Sequence, residues 1–258
     1  ISDSGGGHIG PVMCLHTGDK SGKCVISGGR DGTLRYWVDG TGIAAANPEQ
    51  YKNTHGSDSG EAAVLPGHHG MVCVRTMWGH TSPITCIYHS ADQGIIVSGS
   101  SDGLVCVHTV RNGQFVRAIR TLEGQSVDDV VVTHAGYLLA SSKSQRTLYL
   151  FWLNGQHLQT VTTETEIETL MVNGAGNVLV CGMSDGMVEM RSLRSLEPIS
   201  EYDLQSHGSV TAMWCTQDQQ FIIVGSSDGT FTVLTDPEER WRLLHAAISK
   251  TPILSALG

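Results

Sequence analysis

Twelve histidines and four aspartates in repeated segments are the residues of this 258-residue chain best suited to chemistry. Histidine titrates near neutrality and serves as general base or metal ligand; aspartate can be base, nucleophile or ligand. Asp31, Asp102, Asp185 and Asp228 each stand directly before a glycine. The segments are ISGGRDG (Ile26–Gly32), VSGSSDG (Val97–Gly103), VCGMSDG (Val180–Gly186) and VGSSDG (Val224–Gly229). Catalytic carboxylates come as an unlike pair in unlike environments, not once per repeat. Aspartate before glycine is turn chemistry. Buried histidines need hydrogen-bond partners, so His8, His80 and His207 are expected to bond turn aspartates. The sequence has no HExxH, no zinc-quartet spacing, no GxSxG elbow and no GxxxxGK phosphate loop. His68-His69 reads as solvated loop. No catalytic residue, metal or cofactor is therefore expected. The acidic run TVTTETEIE, Thr160 to Glu168, reads as a solvated linker between repeats, with contact to a partner as the sharper alternative.

The elements that place these residues follow from the repeat. A fifth, degenerate copy is ASSKSQRT (Ala140–Thr147), with Arg146 read at the aspartate position. Successive spacings are 71, 44, 39 and 43. Three fit a 40–45-residue propeller blade; the first fits a blade plus an insertion of about 30 residues. Each unit carries apolar runs such as Val12–Leu15, Ile84–Tyr88 and Ile167–Val172, then a small-residue stretch, Asp-Gly and another apolar run. Asp-Gly between such runs predicts a two-residue hairpin turn with both residues at φ > 0. Four short antiparallel strands per unit and no helical period predict an all-β propeller. The expected blades are 8–79, 80–123, 124–163, 164–205 and 206–245, after an N-terminal end at 1–7 and before a tail at 246–258. Residues 39–70 are read as a loop insertion between strands three and four of the first blade. Seven blades of ~42 residues need about 294 residues, so these five are expected to belong to a larger ring. The chain begins with Ile1 rather than Met and is read as a piece of a longer protein.

Composition agrees. There are 31 glycines, nearly twice the usual ~7%, and only 16% charged residues against ~25%. That suits tight turns and few surface helices. The net charge of −9 argues against nucleic acid, which needs a basic face. No run of 18 apolar residues occurs, so no helix is expected to insert in a membrane. Seven cysteines follow no pattern; Cys14, Cys86, Cys106 and Cys181 sit in apolar runs and read as small, reduced core residues.

These segments resemble WD-repeat propellers. Gly7-His8 and Gly79-His80 match the family's Gly-His, and Trp37 and Trp152 stand at its Trp position, six residues past the turn position. In that family a His, a second-strand Ser or Thr, the turn Asp and the Trp form a buried hydrogen-bonded chain. The resemblance implies a complete chain of His8, Ser27, Asp31 and Trp37 in the first blade. It implies His80, Ser98 and Asp102 in the second, with His108 replacing Trp. Ser142 and Trp152 remain in the third, Asp185 in the fourth, and His207 and Asp228 in the fifth. The segments Ser98–Arg120, Leu148–Leu158, MRSLRSLEPIS and IIVGSSDGTFTV are similar to BEACH-domain proteins of the neurobeachin and beige-like-anchor group. There the propeller is the C-terminal module.

The resemblance implies a non-catalytic scaffold that binds other proteins in vesicle trafficking and membrane protein sorting. Such a module is expected to be cytoplasmic, peripheral on intracellular membranes through other domains. By family geometry the residues before the turn aspartate face the top. Arg30, Ser101, Ser184 and Ser227, with Gln145 in the third blade, are the candidate partner contacts. Two alternatives stand beside it: a WD-repeat subunit of another complex, such as a coat or ubiquitin-ligase adaptor, and a propeller hydrolase. The hydrolase needs unlike polar residues converging from several blades.

Overall fold

Short β-branched and apolar runs, punctuated by Gly, Asn and Asp, leave the chain no option but strands and turns. The computed structural model describes residues 7–17, 24–39, 71–121, 124–173, 176–204, 208–216, 220–235 and 242–248. Among these residues there is no helix. The insertion beyond Asp39, His68-His69 and His207 lie outside the described residues.

Twenty strands form five four-stranded antiparallel sheets, each ordered as in the sequence. The first holds β1 (Val12–Thr17), β2 (Cys24–Gly29), β3 (Leu34–Asp39) and β4 (Met71–Met77). The second holds β5 (Ile84–Ser90), β6 (Ile95–Ser100), β7 (Leu104–Thr109) and β8 (Phe115–Arg120). The third holds β9 (Asp129–Val132), β10 (Tyr137–Ser142), β11 (Thr147–Trp152) and β12 (His157–Thr162). The fourth holds β13 (Ile167–Val172), β14 (Val178–Met183), β15 (Met187–Ser192) and β16 (Pro198–Asp203). The fifth holds β17 (Val210–Cys215), β18 (Phe221–Ser226), β19 (Thr230–Thr235) and β20 (Arg242–Ile248). This is the blade architecture of a β-propeller. β20 pairs Ile248 with Thr230, so the strand enters the stretch read as a tail.

The Asp-Gly turns differ from expectation. The glycines are left-handed, with φ of 73° at Gly32, 80° at Gly103, 85° at Gly186 and 84° at Gly229, but the aspartates before them are not. The loop in blade one has three residues: Gly29 N–H donates to the Thr33 carbonyl across Arg30, Asp31 and Gly32. A type I turn followed by one left-handed residue needs glycine only at its last position. Aspartate recurs because its carboxylate accepts the N–H two residues on. Thr33 N–H reaches Asp31 at 3.1 Å, Met187 N–H reaches Asp185 at 3.1 Å and Thr230 N–H reaches Asp228 at 2.9 Å.

This geometry also corrects the third blade. Arg146 has φ 50° and its N–H bonds the Lys143 carbonyl, as Gly32 bonds that of Gly29. Arg146 therefore occupies the glycine position, and Gln145 the aspartate position. Ser144, not Gln145, matches Arg30.

By contact the chain divides into two units, Ile1–Arg120 and Thr121–Gly258. Within the first, β1 and β2 lie against β5. Ile26, Leu34, Met77, Ile84, Ile87 and Ile96 form their shared core. Within the second, β9 lies against β13, and β13 and β14 against β17. Val180, Val188, Met190, Val210, Ile222 and Leu234 belong to one core there. The small-residue stretch exists for this packing. A Cβ on Gly28 would lie 2.7 Å from both Cys14 Sγ and Ile84 Cγ2; on Gly182 it would lie 2.5 Å from Val210 Cγ1. Each glycine admits the first strand of the next blade. Middle strands such as β10 (YLLASS) and β11 (TLYLFW) are buried at nearly every position, so both their faces are covered and their sequences do not alternate apolar with charged residues.

Candidate functional site

In blade one the four polar residues form a continuous chain. Trp37 Nε1–H donates to Ser27 Oγ at 2.7 Å, and Ser27 Oγ lies 2.7 Å from His8 Nε2. His8 Nδ1 lies 3.0 and 3.2 Å from the two Asp31 oxygens. Indole can only donate and carboxylate only accepts, so one direction of donation satisfies every atom: Trp37 to Ser27 to His8 to Asp31. Thr33, which sequence reasoning missed, closes the end, its hydroxyl donating to Asp31 at 2.8 Å. Ile9 N–H adds a further bond at 2.8 Å. Burial pushes the Asp31 carboxyl up, but these donors outweigh it and hold its pKa at about 2. A carboxylate so occupied is a structural acceptor, not a base.

Blade two departs from the expected bond between His80 and Asp102. His80 Nε2 bonds Ser98 Oγ at 2.8 Å, but its Nδ1 faces Cys106 Sγ at 3.8 Å. Asp102 instead accepts the Ser100 hydroxyl at 2.5 Å and that of Ser82. The cause is one side chain. Ser100 stands where blade one has Gly29, and a Cβ on Gly29 would sit 2.3 Å from His8 Nδ1 and 2.4 Å from Asp31 Oδ1. The serine thus occupies the gap that the imidazole–carboxylate bond would cross. Burial, with the nearby His108, lowers the His80 pKa to about 4. His108 takes the register position of Trp37, pairing Ile96 as Trp37 pairs Val25. Its Nε2 donates to the Trp78 carbonyl at 2.8 Å.

The third blade does not assemble the expected pair. The buried Ser142 hydroxyl has no hydrogen-bond partner. Trp152 lies at the far end of β11, opposite Tyr137, and stacks on its ring at 4.4 Å. In the fourth blade Asp185 is exposed and caps its turn. Where the first blade has Arg35 and Trp37, this blade has Glu189 and Arg191, joined at 2.7 Å and both under a tenth exposed. Nothing in the one-dimensional pattern marked that pair, because charged residues in a strand read as solvent-facing. In the fifth, Asp228 accepts the N–H and hydroxyl of Thr230.

The candidate partner contacts sit at the tips of the turns between second and third strands. Arg30, Ser101, Gln145 and Ser227 are exposed and Ser184 is half-buried. Four of their amides are held in the same way: Arg30 by the Pro11 carbonyl, Ser101 by Pro83, Ser184 by Glu166 and Ser227 by Ser209. The Ser227 hydroxyl also accepts Ser209 N–H at 3.0 Å. The side chains are thus carried on rigid turns.

Two features could suggest catalysis. Asp129 is pushed up to about 6 by burial, within range of a general base. Both its oxygens are occupied, however, by Val130 N–H and Leu170 N–H at 2.8 Å each. The thiols of Cys14, Cys106 and Cys181 are driven by burial to about 12, far from a nucleophilic thiolate. Among the described residues no group of three His, Cys, Asp or Glu could hold a metal, and no helix is long and apolar enough to cross a membrane.

Comparison with known proteins agrees with the blade geometry. The chain is 29% identical over 240 residues to BEACH domain-containing protein B of Arabidopsis thaliana, covering 90% of this chain and 9% of that protein. It is 23% identical over 240 residues to a neurobeachin homologue of Caenorhabditis elegans, covering 91% of this chain and 9% of the relative. The chain thus spans about a tenth of the length of these relatives. Among solved structures, the Cps50 (Swd1) β-propeller domain of Myceliophthora thermophila superposes with a TM-score of 0.70 at 15% identity, covering 94% of this chain and 73% of that one. A computationally designed protein, Ika8, gives 0.63 at 22% identity, covering 89% and 60%. The neurobeachin β-propeller domain matches residues 6–242, and the chain belongs to that family.

Proposed function

We propose that this propeller is a non-catalytic scaffold that binds other proteins through the turns carrying Arg30, Ser101, Gln145, Ser184 and Ser227. The observation that carries this reading is the fate of the polar groups. Asp31 and Asp102 are filled by turn and strand donors, Asp129 by two amides, and the buried thiols are protonated. Among the described residues no reactive cluster is left over for turnover, while turns held by main-chain hydrogen bonds carry exposed side chains of the kind that recognise proteins. Arg30 is the strongest single contact, since arginine is enriched in interface hot spots. The net charge of −9 disfavours nucleic acid and anionic lipid as partners. In this reading the module serves a BEACH-type protein in vesicle trafficking and membrane protein sorting. It works in the cytoplasm, on membranes that other domains contact.

The test replaces Arg30 and Ser101 by Glu in one variant, and Gln145, Ser184 and Ser227 in another. Each exposed change should alter stability by no more than about 0.5 kcal/mol. Folded variants should recover fewer partners from a membrane extract than the parent chain. Unchanged recovery by both refutes the assignment of these turns. Saturable hydrolysis by the purified chain, lost on Asp129→Asn, would refute the scaffold reading as a whole.

A further inference from the structure

Blade five turns to solvent a face that blades one and four keep buried. On β18, Ile223 and Gly225 stand five and three residues before the turn aspartate, as Ile26 and Gly28 do on β2 and Val180 and Gly182 on β14. Phe231 on β19 matches Leu34 and Val188, three residues after the aspartate. Ile26, Leu34, Val180 and Val188 are at most 1% exposed; Ile223 is 40% exposed and Phe231 45%. Trp214, the cross-strand partner of Ile223, is 71% exposed. Ala212, Gly225 and Phe231 form one row across β17, β18 and β19, and Trp214, Ile223 and Val233 form the next. The result is one contiguous apolar face. The opposite face, with Ile222, Val224 and Leu234, is packed into the core shared with blade four.

The glycines show what this face is shaped for. A Cβ on Gly28 would lie 2.7 Å from Ile84 Cγ2, and one on Gly182 would lie 2.5 Å from Val210 Cγ1. A Cβ on Gly225 would meet nothing nearer than the Ala212 carbonyl oxygen at 3.9 Å. The strands that supply those contacts share a form. β5 begins Ile84-Thr-Cys-Ile, β13 Ile167-Glu-Thr-Leu and β17 Val210-Thr-Ala-Met; β1 begins Val12-Met-Cys-Leu. Each is a β-branched residue, one of any kind, a small residue and a long aliphatic one. All four ladders shift register after the first residue, a bulge of the kind that re-aims a side chain. Ile84, Ile167 and Val210 are buried, whereas Val12 is 50% exposed.

We propose that the open face of blade five receives the first strand of a further blade, carried by a segment of the full-length protein outside this chain. That strand has the form Val or Ile, any residue, a small residue, then Leu, Ile or Met, and its β-branched side chain seats against Gly225. The Cps50 propeller domain extends well beyond this chain, 94% of which matches only 73% of that domain. Val12 of a second copy has the same form, but a blade on the same polypeptide has the advantage of a high effective concentration. This surface is distinct from the turns assigned to partners above, since Ile223 and Phe231 lie on strands.

The test is Gly-to-Val substitution read by thermal melting and sedimentation. It compares this chain with the same chain lengthened at either end by about 90 residues of its full-length protein, room for two blades. In this chain G182V should lower the melting temperature by roughly 5 °C or more, because it overpacks a covered face. G225V should shift it by no more than about 1 °C. In the lengthened chain both should lower it alike. A G225V as costly as G182V in this chain overturns the proposal, since the face would already be covered. So does a dimer of this chain that G225V dissociates, which would make a second copy the occupant. A harmless G225V in the lengthened chain also overturns it. Should that variant fail to fold, G225A, which adds one methyl group, decides by the same comparison.

Discussion

Gly29→Ala isolates the difference between the first two blades in a single methyl group. The added Cβ would meet His8 Nδ1 at 2.3 Å and Asp31 Oδ1 at 2.4 Å, so the pair must part. The lost bond is charge-assisted, worth about 1.5–3 kcal/mol. The His8 side chain is 2% exposed, so water cannot replace its partner. Gly29 lies in β2 and needs no left-handed backbone; alanine there returns about 0.4–1 kcal/mol by restricting the unfolded chain. The net loss should be about 1–2 kcal/mol, or roughly 3–7 °C in melting temperature for a chain of this size. Gly29→Ser should fall between wild type and alanine, because its hydroxyl can bond Asp31 as Ser100 bonds Asp102. In an Asp31→Ala background the alanine change should cost less, because the bond to Asp31 is already gone and only the crowding against His8 is left. Urea unfolding of the four chains in this cycle is the assay. An alanine variant as stable as wild type, or an equal loss in both backgrounds, would refute a steric break of the His8–Asp31 bond.

Asp31→Ala should cost about 2–3 kcal/mol, because it removes the acceptor that His8 Nδ1–H and the Thr33 N–H and hydroxyl share; Asp102→Ala should cost less, since His80 makes no bond to Asp102, and thermal melts that reverse this order would contradict the bonding pattern. Asp31 is lowered from 3.8 to about 2, so its contribution is complete above pH 3.8 and fades as pH falls through 2. Asp31→Asn should remove that part of the acid limb, and identical acid titrations would count against it. Asp129 has the opposite sign: with a folded pKa raised to about 6, it favours the folded state as pH falls from 6 towards 3.8. Asp129→Asn should flatten stability over that window, and an unchanged slope in urea midpoints would rule the assignment out.

Much of the fold was legible because repetition is itself a structural signal. Apolar runs and Asp-Gly steps located the strands that follow them, down to Met71–Met77 after the insertion. The turn type was not legible, since Asp-Gly serves a two-residue turn and a three-residue turn alike. Arg146 misled for a related reason: a non-glycine residue at φ 50° looks in sequence like a substitution of its polar neighbour. The bond between His80 and Asp102 failed through Ser100, whose spacing and polarity look harmless until a Cβ is placed in the gap. The Glu189–Arg191 pair was invisible because burial of charge in a strand depends on what covers both faces, which local pattern does not encode.

The bond from Leu170 to Asp129 has a kinetic consequence. β13 is the edge of its sheet, and an edge amide turned away from its ladder would ordinarily exchange with solvent quickly. Leu170 N–H is instead held at 2.8 Å by a carboxylate of the preceding blade. Its exchange therefore waits for the third and fourth blades to part, not for either sheet to fray. In a hydrogen–deuterium experiment this one amide acts as a clock for separation of the two blades, and its rate can be read while every ladder bond around it stays closed.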